Sequence, residues 1–146
     1  MGCSSRRNRT STRWAAEFTP SNLRAYIYEG LTNHVRAGLA IAQFFEGRDE
    51  ALADIEAALA DARSMGDEYF AAYLAHTLGE AYTRRGDFAR AEESFQRALK
   101  YYDRTNLRPY RVRTLEALAA LYDRQGRSAD AERTRAAAQA IGKALR

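Results

Sequence analysis

The sequence repeats itself at an interval of forty residues, and this repeat constrains the fold more than any other feature. A forward shift of forty places superimposes residues of the same kind: Tyr82 on Tyr122, Gly86 on Gly126, Ala91 on Ala131 and Ala98 on Ala138. A backward shift superimposes a second set: Ala91 on Ala51, Phe95 on Ile55, Ala98 on Ala58 and Leu99 on Leu59. The chain is therefore expected to be an array of similar units, each of which buries its apolar face on the next.

Each repeated position has a physical role in a pair of antiparallel helices. A large aromatic such as Tyr82 fills the wedge between two helices, and a small residue such as Gly79 lets them approach closely. Gly86 and Gly126 are expected to end the first helix of their pairs, because a left-handed backbone costs glycine little. Phe95 is expected to plug the space toward the next pair.

Composition and periodicity both favour helix throughout the repeats. The chain has two Pro in 146 residues and is rich in Ala, Leu, Arg and Glu, which are good helix formers. Apolar residues share single helical stripes, as Phe70, Leu74 and Leu78 do. Six helices are predicted, near residues 21–46, 49–65, 68–85, 88–103, 109–125 and 128–144, so the fold class is all-α.

Local signals predict where several of these helices begin or break. Asp67 is expected to cap the third helix and Ser128 the sixth, since both side chains can accept hydrogen bonds from free backbone N–H groups. Pro109 fits the first turn of the fifth helix, where its missing N–H is not needed. Gly30 is a candidate break in the first helix.

These residues resemble the tetratricopeptide-repeat motif: Leu-Gly-x-x-Tyr, a turn glycine, then Ala, Phe and Ala at fixed offsets. The resemblance implies antiparallel hairpins stacked as a right-handed solenoid of about three repeats. Those repeats would span approximately 22–65, 67–105 and 108–146. The period is forty residues where the motif has about 34, and the late Pro of the motif is absent. Longer units of this sort are similar to helical arrays in bacterial signalling regulators.

The resemblance implies a protein-interaction module that holds a peptide or helix in a concave groove. In the family, solvent-side positions of each first helix line that groove. In the second repeat they correspond to Tyr73, His76, Thr77, Glu80, Thr83 and Arg84. In the third they correspond to Arg113, Glu116, Ala120, Asp123 and Arg124, and in the first, less clearly, to His34, Ala37, Ile41 and Phe44.

The charges at these positions indicate what kind of partner would fit. Glu80 and Glu116 stand where some members of the family clamp a terminal carboxylate, so capture of a carboxylate is not expected. A mixed-charge or aromatic segment, or a helix laid in the groove, fits better. The alternative is that these residues are only solvated helix faces, since charge on a helix face needs no function.

The two ends of the array differ. Arg135 occupies the position that Phe95 and Ile55 hold earlier, which predicts a finished, solvated end. The first helix is unusually apolar, with Leu23, Tyr26, Ile27, Leu31, Val35, Phe44 and Phe45. This asymmetry predicts either a homodimer formed through the first helix or the C-terminal part of a larger bacterial signalling or transcriptional regulator, in which the first helix serves for self-association.

The sequence contains no recognisable set of catalytic or metal-binding residues. Cys3 is the single cysteine, so neither an internal disulfide nor a cysteine-based zinc site can form. His76 and Glu80 share a helix face but make at most half a metal site, and His34 is expected on a helix surface. No glycine-rich phosphate loop occurs. We therefore expect no enzymatic activity, no cofactor and no metal.

Net charge argues against nucleic-acid binding. Four arginines lie in the first fourteen residues, and removing them from the 23 basic residues leaves 19, equal to the 19 acidic ones. A basic patch on the folded part is therefore not expected. Residues 1–20 are interpreted as a disordered polar and basic tail ahead of a repeat domain over 21–146.

Membrane attachment is not expected. No apolar run approaches the roughly 20 residues that span a bilayer. The opening Met1-Gly2-Cys3 resembles an acylation site at Gly2 and Cys3, but Arg6 stands where the myristoylation pattern has Ser or Thr. A cytoplasmic location is predicted.

Overall fold

Six helices follow one another along the chain in the computed structural model, which describes residues 20–144 and, for side chains, residues 23–144. The helices are α1 (Pro20–Phe45), α2 (Ala51–Ser64), α3 (Glu68–Arg85), α4 (Phe88–Thr105), α5 (Arg108–Arg124) and α6 (Ser128–Lys143). Within the described residues there is no strand, which confirms the all-α prediction. The predicted helix bounds agree with these to within two residues. The interpreted tail and the acylation pattern at Gly2 and Cys3 lie outside the described residues.

Neighbouring helices pack as three hairpins stacked side by side. The hairpins are α1 with α2, α3 with α4 and α5 with α6, and α2 and α4 each contact the first helix of the hairpin that follows. The first helices also contact one another, α1 with α3 and α3 with α5. This is a helical-hairpin repeat solenoid. The first helices α1, α3 and α5 therefore form one layer, which carries the predicted groove positions.

The turn glycines end helices α3 and α5 as predicted. Gly86 and Gly126 have left-handed φ angles of 79° and 71°. In both turns the next residue closes a bond back to the tyrosine of the repeat: Asp87 N–H donates to the Tyr82 carbonyl and Arg127 N–H to the Tyr122 carbonyl, each at 2.9 Å. This six-residue closure satisfies carbonyls at the helix end and reverses the chain. The prediction of left-handed glycines is confirmed.

At the turns that contain Gly66 and Gly126, the residue directly after the glycine is the N-cap residue of the next helix. Asp67 lies directly after Gly66, and its Oδ1 accepts from Phe70 N–H at 3.1 Å, which confirms the predicted cap of α3. Ser128 does not cap α6, so that prediction is wrong. The turn at Gly126 makes Arg127 the cap residue, and no side-chain hydrogen bond closes that end. Pro109 lies in the first turn of α5, as predicted.

Helix α1 runs through Gly30 without a break, so the predicted break is wrong. Glycine inside a helix costs only about 1 kcal/mol relative to alanine, and contacts on both sides of it offset that cost. Before Gly30, the Tyr26 hydroxyl donates to the Met65 carbonyl at 2.8 Å. After it, buried Asn33 donates from Nδ2 to the Ala58 carbonyl at 3.0 Å. The helix is therefore anchored to its own hairpin across the glycine.

The core is built from the repeated plug and wedge residues. Ile55 and Phe95 are the plugs, and they are 0% and 1% exposed. The wedge tyrosines Tyr82 and Tyr122 are buried in their rings, while their hydroxyls donate to carboxylates of the preceding second helix, the Tyr122 hydroxyl to Glu92 Oε1 at 2.8 Å. Burial and the hydrogen bond from its hydroxyl to Glu56 raise the pKa of Tyr82 to about 12. Each wedge tyrosine therefore buries its ring in the core and has its hydroxyl hydrogen-bonded at the edge of the core.

Arg135, at the plug position of the last hairpin, is solvent-exposed, as predicted. Arg135 is exposed on α6 and its guanidinium binds the Asp123 carboxylate of α5. No plug is present at that position, so the small residue opposite it, Ala119, does not need to be glycine. In the preceding hairpin the equivalent pair is Phe95 and Gly79, and there the contact is much tighter.

Replacing Gly79 with alanine tests the tight contact. A Cβ on Gly79 would lie 2.5 Å from Cε1 of the Phe95 ring, which is held fully buried. We expect Gly79→Ala to lower the free energy of unfolding by about 1–3 kcal/mol because the ring must shift. Urea unfolding followed by circular dichroism measures it. The matched control is Gly30→Ala, where no neighbour lies within 4 Å and a gain of up to about 1 kcal/mol is expected. Equal effects at both glycines would contradict the packing argument.

Candidate functional site

The first helices α1, α3 and α5 are joined by side-chain contacts along their length. The His34 ring of α1 stacks on Phe70 of α3 with centroids 3.7 Å apart. The Tyr69 hydroxyl of α3 donates to the Tyr110 hydroxyl of α5 at 2.8 Å, and their rings meet edge to face. These contacts hold the three helices side by side and leave one face of the layer open.

An open cleft of about 380 Å³ lies between α3 and α5 on this face. On the α5 side, the wall of the cleft is formed by the short side chains of alanines at helical spacing. Charged side chains stand at its mouth. We call it the α3–α5 cleft. It is lined by Glu80, Thr83, Arg84, Phe95, Ala117, Ala120 and Arg124.

Several predicted groove residues meet at this cleft. Glu80, Thr83 and Arg84 line it from α3, in agreement with the predicted solvent-side positions. Arg113 of α5 reaches across, with its Nη2 3.8 Å from Glu80 Oε1. The mouth therefore carries an acid and several arginines within reach of one another. Whether a partner uses these residues stays a prediction.

His76 and Thr77 are not solvent-side residues, so that part of the prediction is wrong. They are 3% and 4% exposed. His76 lies under α5, where its Nδ1 is 3.0 Å from Thr114 Oγ1 and its ring meets the edge of Phe95. The Thr77 hydroxyl donates to the Tyr73 carbonyl at 3.1 Å. Both positions are covered because neighbouring first helices pack closely on either side of α3.

Glu80 couples the buried histidine to the open cleft. Its Oε1 lies 3.3 Å from His76 Nε2, and its side chain is 37% exposed. The His76 imidazole beside it and the positive charge of Arg113 hold the pKa of the Glu80 carboxyl below its ordinary value, against the opposing effect of burial. Glu80 is therefore an ionised carboxylate that supports the wall of the cleft as well as lining it.

Two arginines forty residues apart join successive first helices at their carboxyl ends. Arg84 Nη1 donates to the Phe45 carbonyl at the end of α1 at 2.9 Å, and Arg124 Nη1 donates to the Thr83 carbonyl near the end of α3 at 2.8 Å. A cation at a helix C-terminus satisfies a free carbonyl and interacts well with the helix dipole. The Arg84 guanidinium also lies 5.9 Å from the centre of the Phe45 ring. These residues have a structural role besides any role in binding.

The remaining predicted residues of the second and third repeats do not line the cleft. Tyr73 is half-buried on α3 and stacks on Phe70 with centroids 6.1 Å apart. Glu116 is exposed on α5. The Asp123 carboxylate binds Arg135 of α6 instead of lining the cleft. Asp123 thus belongs to the finished end of the stack.

The positions predicted in the first repeat divide in two. Ala37 and Phe44 are 0% and 1% exposed, so their prediction as solvent-side residues is wrong. They face the rest of the protein because α1 turns its Asn33–Ala37–Phe44 side to the core. His34 is exposed, as predicted, and Ile41 is half-buried.

Sequence reasoning missed Ala117, which lines the cleft. The signal was present, since residues 113, 117, 120 and 124 follow the three- and four-residue spacing of one helix face. It also missed the link between Tyr69 and Tyr110, which are 41 residues apart and do not superimpose at the forty-residue shift.

Two structural findings concern other classes of site. Across residues 20–144, no three His, Cys, Asp or Glu side chains come close enough to hold a metal ion. Among the helices that the structure describes, none has the length and apolarity needed to cross a membrane.

Comparison with known proteins gives one match. The family model described as tetratricopeptide repeat matches residues 70–143, which is half of the chain and includes most of α3 and the whole of α4, α5 and α6. Searches of curated proteins and of solved structures return no significant match.

Replacing Arg84 tests the link between α1 and α3. We expect Arg84→Ala to lower the free energy of unfolding by about 1 kcal/mol, because the Phe45 carbonyl loses its charged donor. Chemical denaturation measures it. Arg85→Ala is the control in the same helical turn, since Arg85 is exposed and carries the same charge as Arg84. An equal loss in both variants would contradict the role of the Phe45 contact.

The lowered pKa of Glu80 predicts a pH dependence. A carboxyl whose pKa is lower in the folded state contributes its full stabilisation at pH values above the pKa of the unfolded chain, which is near 4.5. That contribution is lost as the pH falls through the folded-state pKa. We expect Glu80→Gln to be less stable than the wild type at pH 6–7 and the difference to shrink below about pH 4. Urea unfolding at a series of pH values measures it. A difference that is constant with pH would show that the ionised form contributes nothing.

Proposed function

Because the chain belongs to the tetratricopeptide-repeat family, whose repeats generally serve as protein–protein interaction modules, we propose that it binds a peptide or helix of another protein in the α3–α5 cleft. The repeat is a non-enzymatic scaffold fold, and the proposal assigns no reaction, cofactor or metal to the chain. It keeps the predicted cytoplasmic location. The observation that carries it is the cleft itself, open between two first helices and lined by residues of both.

The chemistry of the cleft supports a partner segment of mixed charge. Arg84, Arg113 and Arg124 stand at its mouth against the single carboxylate of Glu80, so acidic side chains of the partner would meet cations there. The alanines of α5 give the segment a short wall to lie against. An amphipathic helix or an extended peptide with one apolar side matches this arrangement.

Site-specific photo-crosslinking in the cells from which the sequence comes tests the proposal. A benzophenone amino acid placed at Ala120 lies in the cleft, while one placed at Glu132 on α6 lies outside it. We expect a discrete adduct with another protein from Ala120 and none from Glu132. Adding Arg113→Glu should abolish the adduct because it reverses a charge at the mouth, and the fold should be unchanged since Arg113 is exposed.

The control for charge is Arg85→Glu, at an exposed position of α3 outside the cleft. It should leave the Ala120 adduct intact. If both charge reversals remove the adduct equally, the contact is non-specific electrostatic attraction. If the adduct from Ala120 survives Arg113→Glu, the partner does not use the α3–α5 cleft, and the assignment of the site is wrong.

A second candidate function is a self-association or packing element within a larger bacterial signalling or transcriptional regulator. The exposed apolar side chains of α1 favour it, and so does the spacing of the turn glycines Gly47, Gly86 and Gly126, which is close to forty residues. Long repeats of this kind resemble arrays in such regulators. Reading the coding sequence upstream tests it: an ATPase, cyclase or DNA-binding domain in the same frame supports the idea, and an in-frame stop codon contradicts it.

A further inference from the structure

Helix α1 presents large apolar side chains to solvent on the side away from its hairpin. Tyr28 and Val35 are 70% and 71% exposed, and Leu31 and Leu39 are each 59% exposed. The opposite side of the same helix is buried. A contiguous apolar face of this size on a water-soluble surface marks an interaction site.

The residues on this face follow the spacing of a helix-pairing seam. Positions 28, 31, 35, 39 and 42 are separated by steps of three, four, four and three, which average the 3.5-residue period of paired helices. These steps are symmetric about Val35. In order, the seam holds Tyr28, Leu31, Val35, Leu39 and Ala42, and the exposed Gly38 lies beside it.

Gly38 makes no close contact at its Cβ position with the described part of the chain. Apart from its own helix, no heavy atom of the described residues lies within 4 Å of the place a Cβ would take. A glycine inside a helix costs stability relative to alanine, and on an exposed face it leaves room for the close approach of another helix. It lies on the exposed apolar face, one helical turn after Val35.

We propose that this face binds a second copy of the chain, with the two α1 helices antiparallel and the two-fold axis at Val35. This register brings together residues equally far before and after Val35. The bulky Tyr28 then packs on the small Ala42 of the second copy, and Leu31 packs on its Leu39 beside Gly38. A two-fold interface of this kind is self-complementary, as homodimers require.

The charges at the ends of the face select the antiparallel arrangement. Arg24 on α1 and Glu46, in the turn directly after α1, are both exposed, and they lie eleven residues before and after Val35. In the antiparallel pair each Arg24 meets Glu46 of the second copy, twice by symmetry. A parallel pair would instead place arginine on arginine and glutamate on glutamate, and Tyr28 on Tyr28, which is unfavourable in charge and in size.

This interface leaves the α3–α5 cleft free, because it uses the side of α1 that faces away from α3. The dimer would carry two clefts. The inference is therefore independent of the proposed binding function: variants in α1 should change the assembly alone, and Arg113→Glu should change partner capture alone.

Sedimentation velocity on the full chain is the first test. We expect a dimer at micromolar concentration, and we expect Val35→Glu to raise the dimer dissociation constant by at least about tenfold because two carboxylates would lose water at the axis. Val35 is exposed in the single chain, so circular dichroism should show an unchanged fold. The control is Lys100→Glu on α4, another exposed position, which should remain dimeric.

Disulfide trapping tests the register, in a Cys3→Ser background that removes the native thiol. Tyr28→Cys combined with Ala42→Cys should give an oxidised covalent dimer within minutes. Tyr28→Cys alone should not, because in the antiparallel pair the two copies of residue 28 are far apart. Rapid crosslinking by Tyr28→Cys alone would establish a parallel pair and overturn the proposal.

Charge exchange provides an independent test. Arg24→Glu should weaken the dimer several-fold, and adding Glu46→Arg in the same chain should restore it, since the pair is re-formed with opposite polarity. A parallel pair would not be rescued by the second change. A wild type that stays monomeric at about 100 μM overturns the proposal. That result would mean that residues 1–19 or another protein cover the face.

Discussion

The contact between the Phe95 ring and the bare backbone of Gly79 is the one on which the rest of the structure depends. No side chain of Gly79 separates α3 from α4 at this point, and a methyl group there would overlap with the Phe95 ring. The ring also meets the edge of His76 and forms the floor of the α3–α5 cleft. Phe95 packs against Gly79 within its own hairpin and also lines the cleft between two hairpins. The close approach of α3 and α4 therefore sets the depth of the cleft.

The layer of first helices is held by polar contacts as well as by aromatic ones such as His34 on Phe70. His76 meets Thr114, Arg84 caps α1, and Arg124 caps α3. Each of these contacts spans the gap between two hairpins, and the two arginines lie at the mouth of the cleft. The residues that align the repeats are therefore the neighbours of any bound segment. A partner that lies in the cleft contacts groups whose positions are already fixed, which lowers the entropy lost on binding.

The outer faces of the first and last described helices have opposite character. At α6 the plug position holds Arg135, which binds Asp123 and leaves a charged, finished surface. At α1 the outer face holds Tyr28, Leu31 and Val35, which only another apolar surface can satisfy. The described part of the array therefore has one charged outer face, at α6, and one apolar outer face, at α1.

The sequence by itself determined the helices, the turns and the pairing of small with large residues. Gly86 and Gly126 mark their turns because the left-handed backbone is a local requirement, and Gly79 and Phe95 are found by the repeat because every hairpin must solve the same packing problem. Local rules were less reliable where two signals compete, as at Ser128 and Gly30, where the turn geometry and the anchoring of α1 decided the outcome.

Only the tertiary structure decided which groove positions are open. Helical periodicity assigns His76, Thr77 and Glu80 to roughly the same side of α3, yet the first two are buried and the third lines the cleft. The difference depends on how closely α1 and α5 approach α3, and that distance is set by contacts between residues about forty apart, which no pattern within one helix contains. The repeat that specifies each hairpin does not specify the angle between hairpins, so the open face had to be read from the packed molecule.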